Sequence, residues 1–185
     1  KGEKEMFKKL CCLAMLASAL FADPYVTEGK VKKVTDGDTI TFVDVDGTQF
    51  KCRIYGIDTP ESLSSNKLEK DAANLGVDTK YIQEAGKAAS AYAKNSLPLG
   101  ATAIIQIYGS DKYDRNLCVV YVEGDEVSYN ERVVRDGYAV VYKRGKSTKD
   151  KELRHKLNVA QGEAAKNRNG LWYSSSDLMT SLANN

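Results

Sequence analysis

The sequence predicts an α+β domain, with short strands first and helices between and after them. Three observations predict it. Thr48–Tyr55 alternates, with Phe50, Cys52 and Ile54 on one face and Gln49, Lys51, Arg53 and Tyr55 on the other, which is the period of a half-buried strand. Asp46-Gly47, between two β-rich runs, is a hairpin signal. Glu84–Leu97 is alanine-rich (Ala85, Ala88, Ala89, Ala91, Ala93) and stops at Pro98-Leu99-Gly100, a helix followed by its terminator.

Residues 1–22 read as a secretory signal region. Met6-Phe7-Lys8-Lys9 is a basic start, with Lys1–Glu5 upstream of it. An apolar run begins at Leu10–Leu16, and Ala17-Ser18-Ala19 and Leu20-Phe21-Ala22 offer small-residue cleavage positions. The run is short for a spanning helix; the competing reading is an uncleaved anchor. A secreted or periplasmic protein is expected, with no stable membrane association once the signal is removed. Residues 23–173 then form one domain and residues 174–185 a loose tail, and a monomer is the default.

Residues 1–22 hold four of the 27 basic and two of the 25 acidic residues, so 23 of each remain and the formal charge of the rest is zero. Net charge therefore gives no signal for a polyanionic partner, and any such affinity must be local. Cys52 and Cys118 are the cysteines left after the signal region. An even pair in an exported protein reads as a disulfide; two buried thiols on the apolar strand faces is the equal alternative.

The elements follow in order. Asp23–Gly29 is a short lead. Lys30–Val34, Ile40–Val45 and Thr48–Tyr55 are strands. Ser62–Tyr81 is polar and aperiodic and reads as a long loop beside a site. After the alanine-rich helix come two more strands, Ala101–Ile107 and Leu117–Val122, separated by the polar turn Asp111–Asn116. Ser128-Tyr129-Asn130-Glu131 is a capping box opening a helix that ends before Gly137. A basic loop, Lys143–Lys151 with Gly145, leads to a last helix over Asp150–Lys166, whose inner stripe is Leu153, Leu157 and Ala160/Ala164. Leu171 and Trp172 tuck onto the core.

The chemistry concentrates at two chain reversals. If the strands pair across Asp46-Gly47, Asp38 and Asp58 meet at the same end of one hairpin. Two converging carboxylates without a nearby histidine point to a hard cation with oxygen ligands. Arg53 on the same ribbon points to phosphate, whose geometry its planar fork matches. Asp36, Asp44 and Asp46 read as ordinary solvated turn acids. His155, the one histidine, falls on the last helix and reads as a surface residue. That excludes a histidine-pair ribonuclease, a Cys/His zinc site and a Ser-His-Asp hydrolase. What remains suits cation-assisted phosphodiester hydrolysis, with Arg115 as a second arginine.

Val-Thr-Asp-Gly-Asp-Thr-Ile (34–40), Cys-Arg-Ile-Tyr-Gly-Ile-Asp-Thr-Pro-Glu (52–61), Asp-Lys-Tyr-Asp-Arg-Asn-Leu (111–117), Asn-Glu-Arg-Val-Val-Arg-Asp-Gly-Tyr-Ala (130–139) and the closing Gly-Leu-Trp (170–172) resemble the staphylococcal nuclease (thermonuclease) family in order and spacing. The resemblance implies an OB-fold five-stranded barrel with about three α-helices over a nuclease domain. It implies Ca2+ held by the carboxylates of Asp38 and Asp58 and the backbone oxygen of Thr59. Arg53 and Arg115 would hold the scissile phosphate, with Glu61 the water-orienting or general-base carboxylate. Lys112 and Tyr113 would contact a terminal phosphate, and Tyr142, in preference to Tyr138, would stack on a base. The implied substrates are DNA and RNA, cut with little sequence preference. Asp114 departs from the family, which often has glycine there. The competing function is a non-catalytic OB-type module that binds nucleic acid or protein; Glu61 argues against it, because binding alone needs no water-activating carboxylate.

Overall fold

The computed structural model describes residues 24–143 and 148–184. The expected signal region (1–22), Gly145 of the basic loop and the final Asn185 lie outside the described residues. The strands are β1 (Tyr25–Asp36), β2 (Thr39–Asp44), β3 (Gln49–Ile54), β4 (Ile57–Asp58), β5 (Thr102–Ser110), β6 (Asn116–Val122) and β7 (Val140–Val141). Five of them close a barrel in the order β1-β2-β3-β6-β5, and β4 pairs with β7 in a separate ladder. All barrel contacts are antiparallel except β3 with β6, which run parallel. This is the expected OB-like α+β barrel.

Closure depends on β1. Its first half pairs with β5, from Tyr25 opposite Ile107 to Lys30 opposite Thr102. Its second half pairs with β2 and carries register shifts at Val31/Lys33 and Val34/Asp36 that bend it from one neighbour to the other. The strand therefore starts earlier than the predicted Lys30, because Tyr25 and Val26, both exposed, give no inside-outside alternation to read. The barrel interior is the predicted apolar parity: Ile40, Phe42, Cys52, Ile54, Ala103, Ile105, Cys118 and Val120 are fully buried or nearly so. Burying one such large apolar side chain contributes about 1.5–3 kcal/mol. Cys52 and Cys118 form a disulfide across the parallel seam, with Cα atoms 5.5 Å apart. The open cysteine question resolves to the bonded form.

The helices are α1 (Asn66–Leu75), α2 (Thr79–Ser96), α3 (Tyr129–Arg135), α4 (Lys151–Asn167), α5 (Leu171–Ser174) and α6 (Ser176–Asn184). The capping box holds: the Ser128 hydroxyl accepts from the Glu131 N–H. So does the stripe of α4, where Leu153, Leu157, Ala160 and Ala164 are buried. Two expectations are corrected. Residues 62–81 are not one loop. Ser65 caps α1 by accepting from the Leu68 N–H, Gly76 closes it at φ 65°, and Asp78 caps α2. Leu68 and Ala72 are the only apolar residues buried in that polar run, too few to stand out as a periodic stripe. Residues 174–184, the described part of the expected tail, are not loose either. Leu178, Met179, Leu182 and Ala183 lie on one face of α6 and are buried. They complete a second hydrophobic core with Leu68, Ile82, Ala85, Ala89, Ala164, Leu171 and Trp172. No helix among the described residues is long and apolar enough to cross a membrane.

Candidate active site

The hairpin delivers the acids as its geometry requires. β2 and β3 pair with Thr39 opposite Arg53, and the Ile54 N–H donates to the Asp38 carbonyl at 2.8 Å. The chain then reverses at Gly56 (φ 80°), and β4 brings Asp58 back beside the same end. Two buried groups fix the corners. The Tyr129 hydroxyl donates to the Gly37 carbonyl at 2.7 Å, pinning the Asp36–Asp38 turn. The Asn130 amide donates to the carbonyls of Tyr55 and Cys118 and accepts from the Val120 N–H. Gly86 lets α2 press against the backbone of Glu61, since a Cβ there would collide with the Glu61 carbonyl.

Arg53 is the centre of the cleft. Its guanidinium bridges Asp38 at 2.8 Å and Asp58 at 2.9 Å. Asp38 also accepts from the Thr59 hydroxyl at 3.2 Å, the Thr59 N–H at 3.3 Å and the Thr39 hydroxyl at 3.1 Å. Burial disfavours the Asp38 charge, but Arg53, hydrogen bonding with Asp36, the Lys67 ammonium and the Thr39 hydroxyl outweigh it and hold its pKa below the usual carboxylate value. Asp58 stays above that value, because burial exceeds the help from Lys67 and Arg53. Burial and the neighbouring Asp38 push Asp36 up to about 7. Asp36 thus differs from the expectation of a solvated turn acid. It does form the turn, accepting from the Asp38 N–H at 3.1 Å, but it lines the cleft.

The opposite lip is the turn between β5 and β6. Asp111 accepts from the N–H groups of Tyr113 (2.9 Å) and Arg115 (3.0 Å) and pairs with the Arg115 guanidinium at 2.6 Å. Held this way, Arg115 reaches across to the Thr39 hydroxyl at 3.4 Å, the residue facing Arg53 on the hairpin. Tyr113 is exposed, with the Lys112 ammonium 4.9 Å from its ring centroid. Asp114 takes φ 58°, a left-handed turn position where glycine is at ease and aspartate is tolerated. Its carboxylate forms no ion pair with Arg115, whose partner is Asp111.

A cleft of about 790 Å³ therefore brings together Asp38, Arg53, Asp58, Glu61, Lys112, Tyr113, Arg115 and Tyr142, with Asp36 and Lys67 beside them. Thr59 is buried behind it, against Asp38. The two tyrosine candidates separate: Tyr142 is on the cleft wall, whereas Tyr138 stacks on Tyr92 at 4.6 Å between centroids. His155 is exposed on α4. Sequence reasoning missed Lys67 and Asp111. The Lys67 ammonium lies 3.2 Å from Asp58 and 3.0 Å from Glu61. Nothing in the aperiodic run around Lys67 marks it, whereas Asp111, four residues before Arg115 at a turn, had the Asx-turn signature.

The cluster fits a hard cation in the kind of donor it offers. Asp38, Asp58 and the Thr59 carbonyl supply only oxygen, and five acids (Asp36, Asp38, Asp58, Glu61, Asp71) surround two cations, Arg53 and Lys67. Among the described residues no three acidic, histidine or cysteine side chains converge on a single point as metal ligands do, and Arg53 and Lys67 fill the space between the acids.

Residues 51–174 match a family model described as "Staphylococcal nuclease homologue". The chain is 36% identical over 152 residues to "Uncharacterized protein MJ1439" of Methanocaldococcus jannaschii, covering 78% of this chain and 70% of that one. It is 33% identical over 143 residues to the thermonuclease of Staphylococcus intermedius, covering 77% and 74%. The thermonuclease of Staphylococcus hyicus is 31% identical over 145 residues, covering 77% and 74%.

Proposed function

The chain belongs to the staphylococcal nuclease family, and on that premise we propose that it is a Ca2+-dependent nuclease hydrolysing the phosphodiester bonds of DNA and RNA with little sequence preference. One observation carries the reading: Arg53 is locked between Asp38 and Asp58 at the floor of a cleft that also holds Glu61 and Arg115. A phosphodiester needs its charge met, a water aimed at phosphorus, and the extra charge of the transition state held.

Asp38, Asp58 and the Thr59 carbonyl are the groups that would hold Ca2+, which when bound supplies positive charge to a phosphate oxygen. Arg53 and Arg115 donate to the phosphate and gain strength as charge develops on it. Glu61 orients the attacking water and takes its proton. Lys112 and Tyr113 receive a terminal phosphate, and Tyr142 offers a ring to a base, a contact that tolerates any sequence. The Cys52–Cys118 bond supports work outside the cytoplasm, secreted or periplasmic, because disulfides persist in oxidising compartments.

The test is cleavage of single-stranded DNA, double-stranded DNA and RNA by residues 23–185, with Ca2+, Mg2+ or chelator. Cleavage is expected with Ca2+ and lost in Glu61→Ala. Arg53→Ala is expected to lose about 3–4 kcal/mol of transition-state stabilisation, a drop of roughly 10²–10³ in rate. Binding without cleavage under every condition would instead make the chain a nucleic-acid-binding module.

A further inference from the structure

Lys67 is a feature that the proposed mechanism does not use. It stands in the first turn of α1, and its ammonium meets Glu61 Oε1 at 3.0 Å, Asp58 Oδ2 at 3.2 Å and the Thr59 carbonyl at 3.4 Å. An ammonium has three protons, and these are its three nearest oxygens. Two of the three belong to the set that would hold a metal ion, and the third is the carboxylate that would aim the water. One side chain thus ties up both halves of the machinery.

A fourth neighbour makes the arrangement asymmetric. Asp71 lies one turn further along α1, with its Oδ2 at 3.7 Å from the same ammonium. Asp71 is buried, and that oxygen has no hydrogen-bond partner. A buried acceptor left without a donor is a standing cost. A short movement of the flexible Lys67 stem, on its own helix, would satisfy it. The side chain is 38% exposed, so nothing packed over it has to open.

We infer that Lys67 is a tethered counter-ion that occupies the acid cluster in the absence of metal, and that an arriving divalent cation drives it from Asp58 and Glu61 onto Asp71. The movement frees Glu61 from its ion pair, leaving it the weaker contact from the Ser65 hydroxyl at 3.4 Å. Metal binding and release of the water-orienting carboxylate thereby become one event. Without metal, the tethered ammonium offsets the repulsion among acids that would otherwise face one another. The inference rests on the proposed cation site at Asp38, Asp58 and Thr59.

Calorimetric titration with Ca2+, in the absence of nucleic acid, tests it on the parent, Lys67→Gln, Lys67→Arg and Asp71→Asn. With the competitor gone, Lys67→Gln is expected to bind about tenfold more tightly and, in chelator, to melt below the parent; Ca2+ should close that gap in melting temperature. Lys67→Arg keeps a tethered charge and should bind near the parent. Asp71→Asn removes the landing point and should bind more weakly. Equal affinity in the parent and Lys67→Gln, or unchanged affinity in Asp71→Asn, overturns the inference while leaving the cation site standing. No Ca2+ binding by the parent or any variant overturns both.

Discussion

The two hydrophobic cores are built in opposite ways. The barrel core is enclosed by a ladder that returns on itself, so it has no free edge, and a disulfide staples its parallel seam. The second core is a convergence of separate helices, α1, α2, α4 and α6, joined by side-chain packing. The cleft straddles them. Asp38 and Arg53 come from the barrel, Lys67 from α1, and Glu61 from the segment between. Arg53 thus sits on the closed barrel, and Lys67, which pairs with Asp58 and Glu61, sits on the helical side.

Four perturbations sharpen or break that contrast. The largest acts on the staple. Cys52→Ser with Cys118→Ser opens a loop of 66 residues, and the loss of unfolding free energy is expected at about 4 kcal/mol from chain entropy. Denaturant unfolding measures it; a loss under about 1 kcal/mol would mean that the ladder alone holds the barrel. Next is Leu178→Ala, which cuts a fully buried side chain from the second core and should cost about 3 kcal/mol. Hydrogen exchange should loosen α1 and α6 while the β2–β3 hairpin stays protected, and equal loosening of both would merge the two cores into one unit.

The third is a pH effect at Asp36. Its pKa rises from 3.8 to about 7 on folding. A raised acid favours the fold while protonated, so between those values the native state binds a proton that the unfolded state lacks. This residue's contribution to stability therefore falls as pH rises through that window and is fully lost above it. Asp36→Asn should flatten the slope relative to the parent in chelator; parallel slopes would show that the group titrates normally. The smallest is Asp114→Gly, which relieves a left-handed turn position and should stabilise by at most about 1 kcal/mol, with cleavage unchanged. A change in cleavage rate would give the Asp114 charge a role that its geometry lacks.

The barrel half of the molecule was legible because its signals are local and physical. Alternation at Phe50, Cys52 and Ile54, the Asp46-Gly47 turn and the capping box at Ser128 each dictate their own neighbourhood. From these the convergence of Asp38, Arg53 and Asp58 followed. The helical half was hidden because its apolar positions are sparse: α1 buries only Leu68 and Ala72 among its apolar residues, and α6 makes sense only against partners far away in sequence. Lys67 stayed invisible for the same reason, since a lysine in a polar run looks like any solvated lysine until the helix aims it. Asp111 could have been found from its position before Arg115. The choice between Tyr138 and Tyr142 depended on which ring Tyr92 covers, a contact no local pattern encodes.

The seam between β3 and β6 also sets an order of events. Ile54 finds its partner at Cys118, and Tyr25 finds its own at Ile107. The β2–β3 hairpin, with Asp38 beside Arg53, can form as soon as its own residues are available. Arg115, by contrast, arrives only when β6, the last strand of the barrel, inserts and the long loops between its partners are closed, the slow step in chains dominated by distant pairings. The cleft would therefore stay half-built, with its acids and Arg53 in place and Arg115 missing, until β6 closes the barrel.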